Sequence, residues 1–167
     1  MTIKKTLLGK LFFVTLVVAL VIAADQISKN LVLQSLQPGQ LVPIVPNFFN
    51  LTLTYNPGAA FGLWTSLTGW YRILAIVFST AVALCAVLYF LRHKQYARAW
   101  PQVALALILG GALGNIIDRV QHGAVVDFLD FYLDSYHWPA FNVADSAICV
   151  GVFALIFYKP PKTEGTA

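Results

Sequence analysis

Four stretches of the chain are apolar over a length that suits a membrane-crossing helix: Leu7 to Ala24, broken only by Lys10; Trp70 to Leu91, with Arg72 near its start; Trp100 to Ile117; and Phe141 to Tyr158. A bilayer core about 30 Å thick takes roughly 20 such residues in helix. The first stretch follows Lys4, Lys5 and Lys10 and ends in Ala23-Ala24, the outline of a cleavable signal sequence. Three further stretches, and the polar residues Asp25, Gln26 and Lys29 just beyond it, favour a retained first span.

The segments between the spans carry different patterns. Leu41 to Tyr55 is rich in β-branched and aromatic residues, with Leu51-Thr-Leu-Thr-Tyr55 alternating and Pro38-Gly39, Pro43 and Pro46 punctuating it. That predicts one or two short strands at the membrane surface, within a β-rich segment over 38–62. The small residues of Asn56-Pro-Gly58-Ala-Ala-Phe-Gly62 let backbone approach a neighbour closely. Residues 118–140 read as a polar loop holding Asp130 and Asp134. Within it, the apolar run Val125 to Phe131 presses Asp127 against the interface, and desolvation should raise its pKa. Tyr132, Tyr136 and Trp138 suit an aromatic belt. The expected fold is an all-α membrane protein of four transmembrane helices with a small β-rich outer segment, a single domain over residues 1–167.

Composition agrees with the pattern. Hydrophobic residues make up 59% and charged residues 11% of 167, against about 25% charged in an ordinary soluble domain. A chain this short has too little interior to hide that apolar surface, and disorder is excluded by the same numbers. The net charge of +4 is spread rather than gathered into a stripe, so nucleic acid is not an expected partner. Instead it orients the chain. With four spans, one side holds Lys4, Lys5, Lys10, Arg92, Lys94, Arg98, Lys159 and Lys162; the other holds only Lys29, Arg72 and Arg119. Both termini are therefore expected in the cytoplasm. Asp25, Asp118, Asp127, Asp130, Asp134 and Asp145 fall at or beyond the outer span ends, and only Glu164 lies inside. Cys85 and Cys149 sit in apolar runs and read as small buried hydrophobes.

Acids outside could simply complement the basic inner side, but Asp145 opens a spanning helix, where an ionisable group is expensive and marks a site. Gly114-Asn115-Ile-Ile-Asp118-Arg119 closes the third span and Phe141-Asn142-Val-Ala-Asp145 opens the fourth; each sets an Asn three residues before an Asp, on one helical face. Asp25 and Asp127 reach the same level. Two carboxylates held close share a proton, so one can activate water while the other protonates a carbonyl. Asp118 and Asp127 are equal partners for Asp145 on this ground. A metal site could recruit carboxylates with His122 or His137, but no HExxH occurs and lone loop histidines read as solvated. Ser146 lacks a histidine base. An ion route would need polar groups through the bilayer, whereas these acids lie at one surface. A non-catalytic assembly module or small transporter, with the polar cluster as structural glue, remains the reading from another class.

The residues also resemble the bacterial lipoprotein signal peptidases (signal peptidase II), membrane aspartyl proteases, over nearly the whole chain. The similarity lies in five motifs: Asp25-Gln-Ile-Ser-Lys29, Asn56-Pro-Gly-Ala-Ala-Phe61, Gly111-Ala-Leu-Gly-Asn-Ile-Ile-Asp-Arg119, Val125-Val-Asp-Phe128 and Phe141-Asn-Val-Ala-Asp145. The resemblance implies cleavage of diacylglyceryl-modified prolipoproteins on the amino side of the lipidated cysteine, without metal or organic cofactor. It implies Asp127 and Asp145 as the catalytic pair. Asn56, Gly58, Asn115, Asp118, Arg119 and Asn142 would bind substrate or support the pair, with Asp25 and Lys29 in a structural role. A monomer in the cytoplasmic (inner) membrane, in contact with lipids and with its site near the outer face, is the implied setting.

Overall fold

A computed structural model describes residues 2–57 and 99–159. The expected span at 70–91, and Gly58 to Gly62 of the small-residue run, lie outside the described residues. Helix α1 covers Thr2–Ser35, strands β1 and β2 cover Leu41–Val45 and Phe49–Asn56, and helix α2 covers Ala99–His122. Strands β3 and β4 follow at Val125–Leu133 and Tyr136–His137, and helix α3 closes the order at Val143–Ile156.

Two of these helices are long and apolar enough to cross a membrane, over Leu8–Ser35 and Trp100–His122, with mean hydropathies of 2.2 and 1.7. At 1.5 Å per residue, the 28-residue stretch of α1 reaches about 42 Å, well beyond a ~30 Å hydrocarbon core. The first span is thus longer than the 7–24 expected, because nothing after Ala24 breaks the helix until the turn at Pro38-Gly39, where Gly39 takes φ 78°. Helix α3 has 14 residues, short of a full crossing and shorter than the expected 141–158. The described residues therefore establish a helical membrane-type fold with a small antiparallel sheet rather than the four complete spans.

The three helices meet through small residues. Helix α2 packs on both α1 and α3. A Cβ on Gly110 would fall 2.8 Å from Val21 Cβ, and one on Gly114 would fall 2.6 Å from Asp25 Oδ2. Gly111 stands as close to the Ala144 carbonyl, and Gly151 faces Ala104. Where lipid surrounds the helices, such close backbone approach is a main source of association.

The sheet runs β1-β2-β3-β4, every neighbour antiparallel. It has four strands where one or two were expected, because residues 125–133 and 136–137 form strands and not a loop. The sequence hides the first of these: Asp127 and Asp130 are three apart, so they fall on opposite faces and no period of two is visible. Asp130 is accordingly buried, not solvated in a polar loop. Its carboxylate accepts from Asn50 Nδ2 at 2.8 Å and pairs with His137 Nδ1 at 2.9 Å, and His137 stacks on Tyr132. Val126 and Phe128 join Leu53 and Val32 of α1 in the buried cluster beneath the sheet. A hairpin through Asp134, in the left-handed region at φ 52°, returns the chain to β4. Cys149 is exposed on α3 and not a buried hydrophobe.

Because Gly111 meets main chain rather than a flexible side chain, Gly111→Val should part α2 from α3. The expected loss is about 1–3 kcal/mol, typical of overpacking, read as a lower thermal unfolding midpoint in lipid nanodiscs.

Candidate active site

Asp145 sits in the first turn of α3, and the start of that helix is built from side chains. Asn142 is its N-cap, with extended backbone (φ −134°, ψ −175°), and its Oδ1 accepts the Asp145 amide at 2.9 Å. Asparagine is favoured there because it satisfies an amide that the helix leaves unpaired. The Ala144 amide donates instead to Asp25 Oδ1, at 2.9 Å. A carboxylate in this turn also faces the positive end of the helix dipole. Ser146 donates its hydroxyl back to Asn142 O, four residues earlier, at 2.9 Å. The two Asn-x-x-Asp elements therefore differ: Asn115 lies inside α2, whereas Asn142 stands just outside α3.

Asp127 is carried by β3, opposite Thr54 of β2. Thr54 Oγ1 donates to the Asp127 carbonyl at 3.1 Å and Asn56 Nδ2 to Asp127 Oδ2 at 3.1 Å. Asn142 Nδ2 donates to the other oxygen, Oδ1, at 2.7 Å. The residue is 2% exposed. Burial, and after it the negative charge of Asp145, push its pKa from 3.8 up to about 7, against the hydrogen bonds of Asn56 and Asn142 and the charge of Lys29.

Asn142 links the two acidic residues, and Asn115 adjoins both Asn142 and Asp145. Asn142 binds Asp127 through its amide nitrogen and the Asp145 main chain through its oxygen. Asn115 Nδ2 donates to Asp145 Oδ1 at 2.8 Å, and Asn115 Oδ1 accepts from Lys29 Nζ at 3.1 Å and from Asn142 Nδ2 at 3.2 Å. Arg119 Nη1 returns to the Asn115 carbonyl at 3.1 Å. Asp118, which the sequence left level with Asp127, is occupied differently. Its Oδ2 takes Lys29 Nζ at 2.7 Å and the Val126 amide at 3.0 Å, while Oδ1 takes Gln26 Nε2 at 2.9 Å. Asp25 likewise holds Lys29, at 2.7 Å. So Asn142 bridges Asp127 and Asp145, with Asn56 on the first and Asn115 on the second, Asp25, Lys29 and Asp118 behind them and Gly58 outside the described residues.

Neither Gln26 nor Thr54 is given a site role by the sequence, although Gln26 stands out as a polar residue just beyond the first span. Gln26 also lies within the first motif, one residue from Asp25. Among the described residues, no three histidine, cysteine or carboxylate side chains form a set that could hold a metal ion. What the arrangement offers is a buried acid that keeps its proton to near neutrality beside a second carboxylate, ringed by amides.

Comparison with known proteins gives this geometry its context. The sequence model of signal peptidase (SPase) II matches residues 17–159. The lipoprotein signal peptidase of Syntrophotalea carbinolica is 47% identical over 141 residues, covering 84% of this chain and 86% of that protein. That of Burkholderia mallei is 45% identical over 148 residues, covering 87% and 86%. A solved structure described as "Bacterial membrane enzyme structure by the in meso method at 2.3 A resolution" superposes with a TM-score of 0.75 at 34% identity, over 86% of this chain and 85% of that one. A second, described in the same words at 1.9 A, gives 0.74 at 35% identity, over 86% and 90%. With most of its length matched by the family model and by relatives well above 30% identity, the chain belongs to the signal peptidase II family and removes signal peptides from prolipoproteins.

Proposed function

We propose that Asp127 and Asp145 are the catalytic pair and that the enzyme cuts on the amino side of a diacylglyceryl-modified cysteine. The observation that carries this reading is Asn142, whose side chain binds the Asp127 carboxylate at 2.7 Å and the Asp145 amide at 2.9 Å. One residue thereby ties the two acids to a common centre. At rest the pair holds one proton. The ionised member takes a proton from a water molecule as that water attacks the scissile carbonyl, and the protonated member donates to the carbonyl oxygen. When the tetrahedral species collapses, a proton passes to the leaving nitrogen, and the pair recovers its single proton.

Substrate backbone brought to this depth must find hydrogen-bond partners in protein. Asn56, Asn115, Asn142 and Arg119 ring the pair and supply donors and acceptors for it, with Gly58 next in the chain to Asn56 and Pro57. The setting proposed is one domain over residues 1–167, monomeric, in the bacterial cytoplasmic membrane, with both termini in the cytoplasm and the pair near the outer face. The diacylglyceryl chains remain in the outer leaflet, and the precursor reaches the site by lateral diffusion. The basic residues gathered at one side and the acids at the other support that orientation. No metal or organic cofactor enters the reaction.

Three outcomes are expected. In a cleavage assay with purified enzyme and lipidated precursor, Asp127→Asn and Asp145→Asn each lower kcat by roughly 10²–10⁴-fold, the range for a general acid or base. The double variant should be little worse than either single one. Total loss confined to Asp118→Asn, in a folded protein, would move the assignment there. Second, since the Asp127 proton is held up to about pH 7, kcat/KM should fall as pH rises through that value. On the acid side it should fall again as the second carboxylate protonates. A rate that keeps rising above neutrality contradicts a shared proton. Third, the same protein given the unlipidated precursor should leave it uncut.

A further inference from the structure

The mechanism above makes no use of the buried ammonium of Lys29. Lys29 is 2% exposed, and its ammonium has three partners for its three protons: Asp25 Oδ2 at 2.7 Å, Asp118 Oδ2 at 2.7 Å and Asn115 Oδ1 at 3.1 Å. Each of these partners leads to the catalytic pair by a single further contact. Asp25 Oδ1 accepts the amide of Ala144, the residue before Asp145. Asp118 Oδ2 accepts the amide of Val126, the residue before Asp127. Asn115 donates to the Asp145 carboxylate itself.

Two ionised carboxylates buried side by side repel each other unless a cation lies between them. Without Lys29, Asp25 and Asp118 would part, and the main chain bonded to each would follow. The amide of Asn115 would change as well. Its oxygen accepts from Lys29 and from Asn142, so its nitrogen faces Asp145; loss of the cation removes one of the two donors that fix that choice, and a flip would turn an acceptor toward a carboxylate.

We infer that Lys29 is a positioning residue for the reaction, gathering Asp25, Asp118 and Asn115 so that the backbone before Asp127 and the backbone before Asp145 are held at the separation at which one proton serves both carboxylates. The inference rests on the catalytic pair proposed above. It goes beyond a role in stability, because it ties the pair's geometry and its titration to a residue that touches neither acid. Among the described residues, the charged groups around the pair are Asp25 and Lys29 from α1 and Asp118 and Arg119 from α2. Strand β2 brings only the amide of Asn56 and the hydroxyl of Thr54.

The test uses the full-length protein in lipid nanodiscs with lipidated precursor. Lys29→Met keeps the length of the side chain and removes the charge. The expected result is a fall in kcat of at least tenfold with KM within threefold of the parent. The alkaline limb of the pH profile should move to higher pH, since a cation that favoured the ionised pair is gone. Should Lys29→Met fail to accumulate as folded protein, Asp118→Asn carries the test. Its amide oxygen still accepts from Val126, so the fold is less disturbed, and with one negative charge removed the alkaline limb should move to lower pH while kcat falls several-fold. A folded Lys29→Met or Asp118→Asn with parental kcat, or with lowered kcat and an unmoved limb, overturns the inference. Asp127→Asn and Asp145→Asn run alongside. If they are inactive while Lys29→Met matches the parent, only the positioning role fails. If they are active, the catalytic pair itself fails.

Discussion

The buried ammonium of Lys29 between the carboxylates of Asp25 and Asp118 is the constraint on which the rest of the site depends. It is a cation from α1 held within hydrogen-bond distance of acids from α1 and α2, and those acids cap the start of α3 and the start of β3. Four elements are thereby fixed to one another at a single depth. A buried charge set of this kind contributes little net stability by itself, but removing one member leaves the others uncompensated. Its value lies in registry: neither Asp127 nor Asp145 can shift along its own element without breaking a contact to the cluster.

Above this cluster the sheet supplies what a helical bundle lacks, a straight strand that can bring a carboxylate in from the side. Strand β3 carries Asp127 between Val126 and Phe128, whose burial against α1 holds the strand in place. On the other face of the strand the Asp127 carboxylate is itself buried, and that desolvation raises its pKa to about 7. Below the cluster the glycines of α2 let α1 and α3 come near enough for Asp25 to reach Ala144. Packing, capping and acidity are thus consequences of one arrangement.

Much of this was legible in the chain. The apolar runs mark α1 and α2, and the alternation of Leu51-Thr-Leu-Thr-Tyr55 marks β2. The spacing of Asp25 and Lys29, four apart, permits their pair on one helical face. Strand β3 was not legible, because a strand buried on both faces shows no period and its two acids point to opposite sides. Asp130 was misplaced in a polar loop for the same reason, since its partners Asn50 and His137 come from neighbouring strands. Nor could the chain separate Asp118 from Asp127. What distinguishes them is a long-range fact: Asp118 is taken up by Lys29, Gln26 and the Val126 amide, and Asp127 is left facing Asp145. The matching Asn-x-x-Asp elements were misleading in detail, one being interior to a helix and the other its cap.

The central claim is that Asp127 and Asp145 share one proton, and infrared spectroscopy of the resting enzyme with isotope-labelled aspartate reads that proton directly. The expected spectrum shows the carbonyl stretch of a protonated aspartic acid at mildly acidic pH, bleaching as pH is raised through about 7. In Asp145→Asn the bleaching should occur at lower pH, because the neighbouring negative charge that helps retain the proton is gone. An enzyme with no such band, or with a band whose midpoint is the same with and without Asp145, would contradict it.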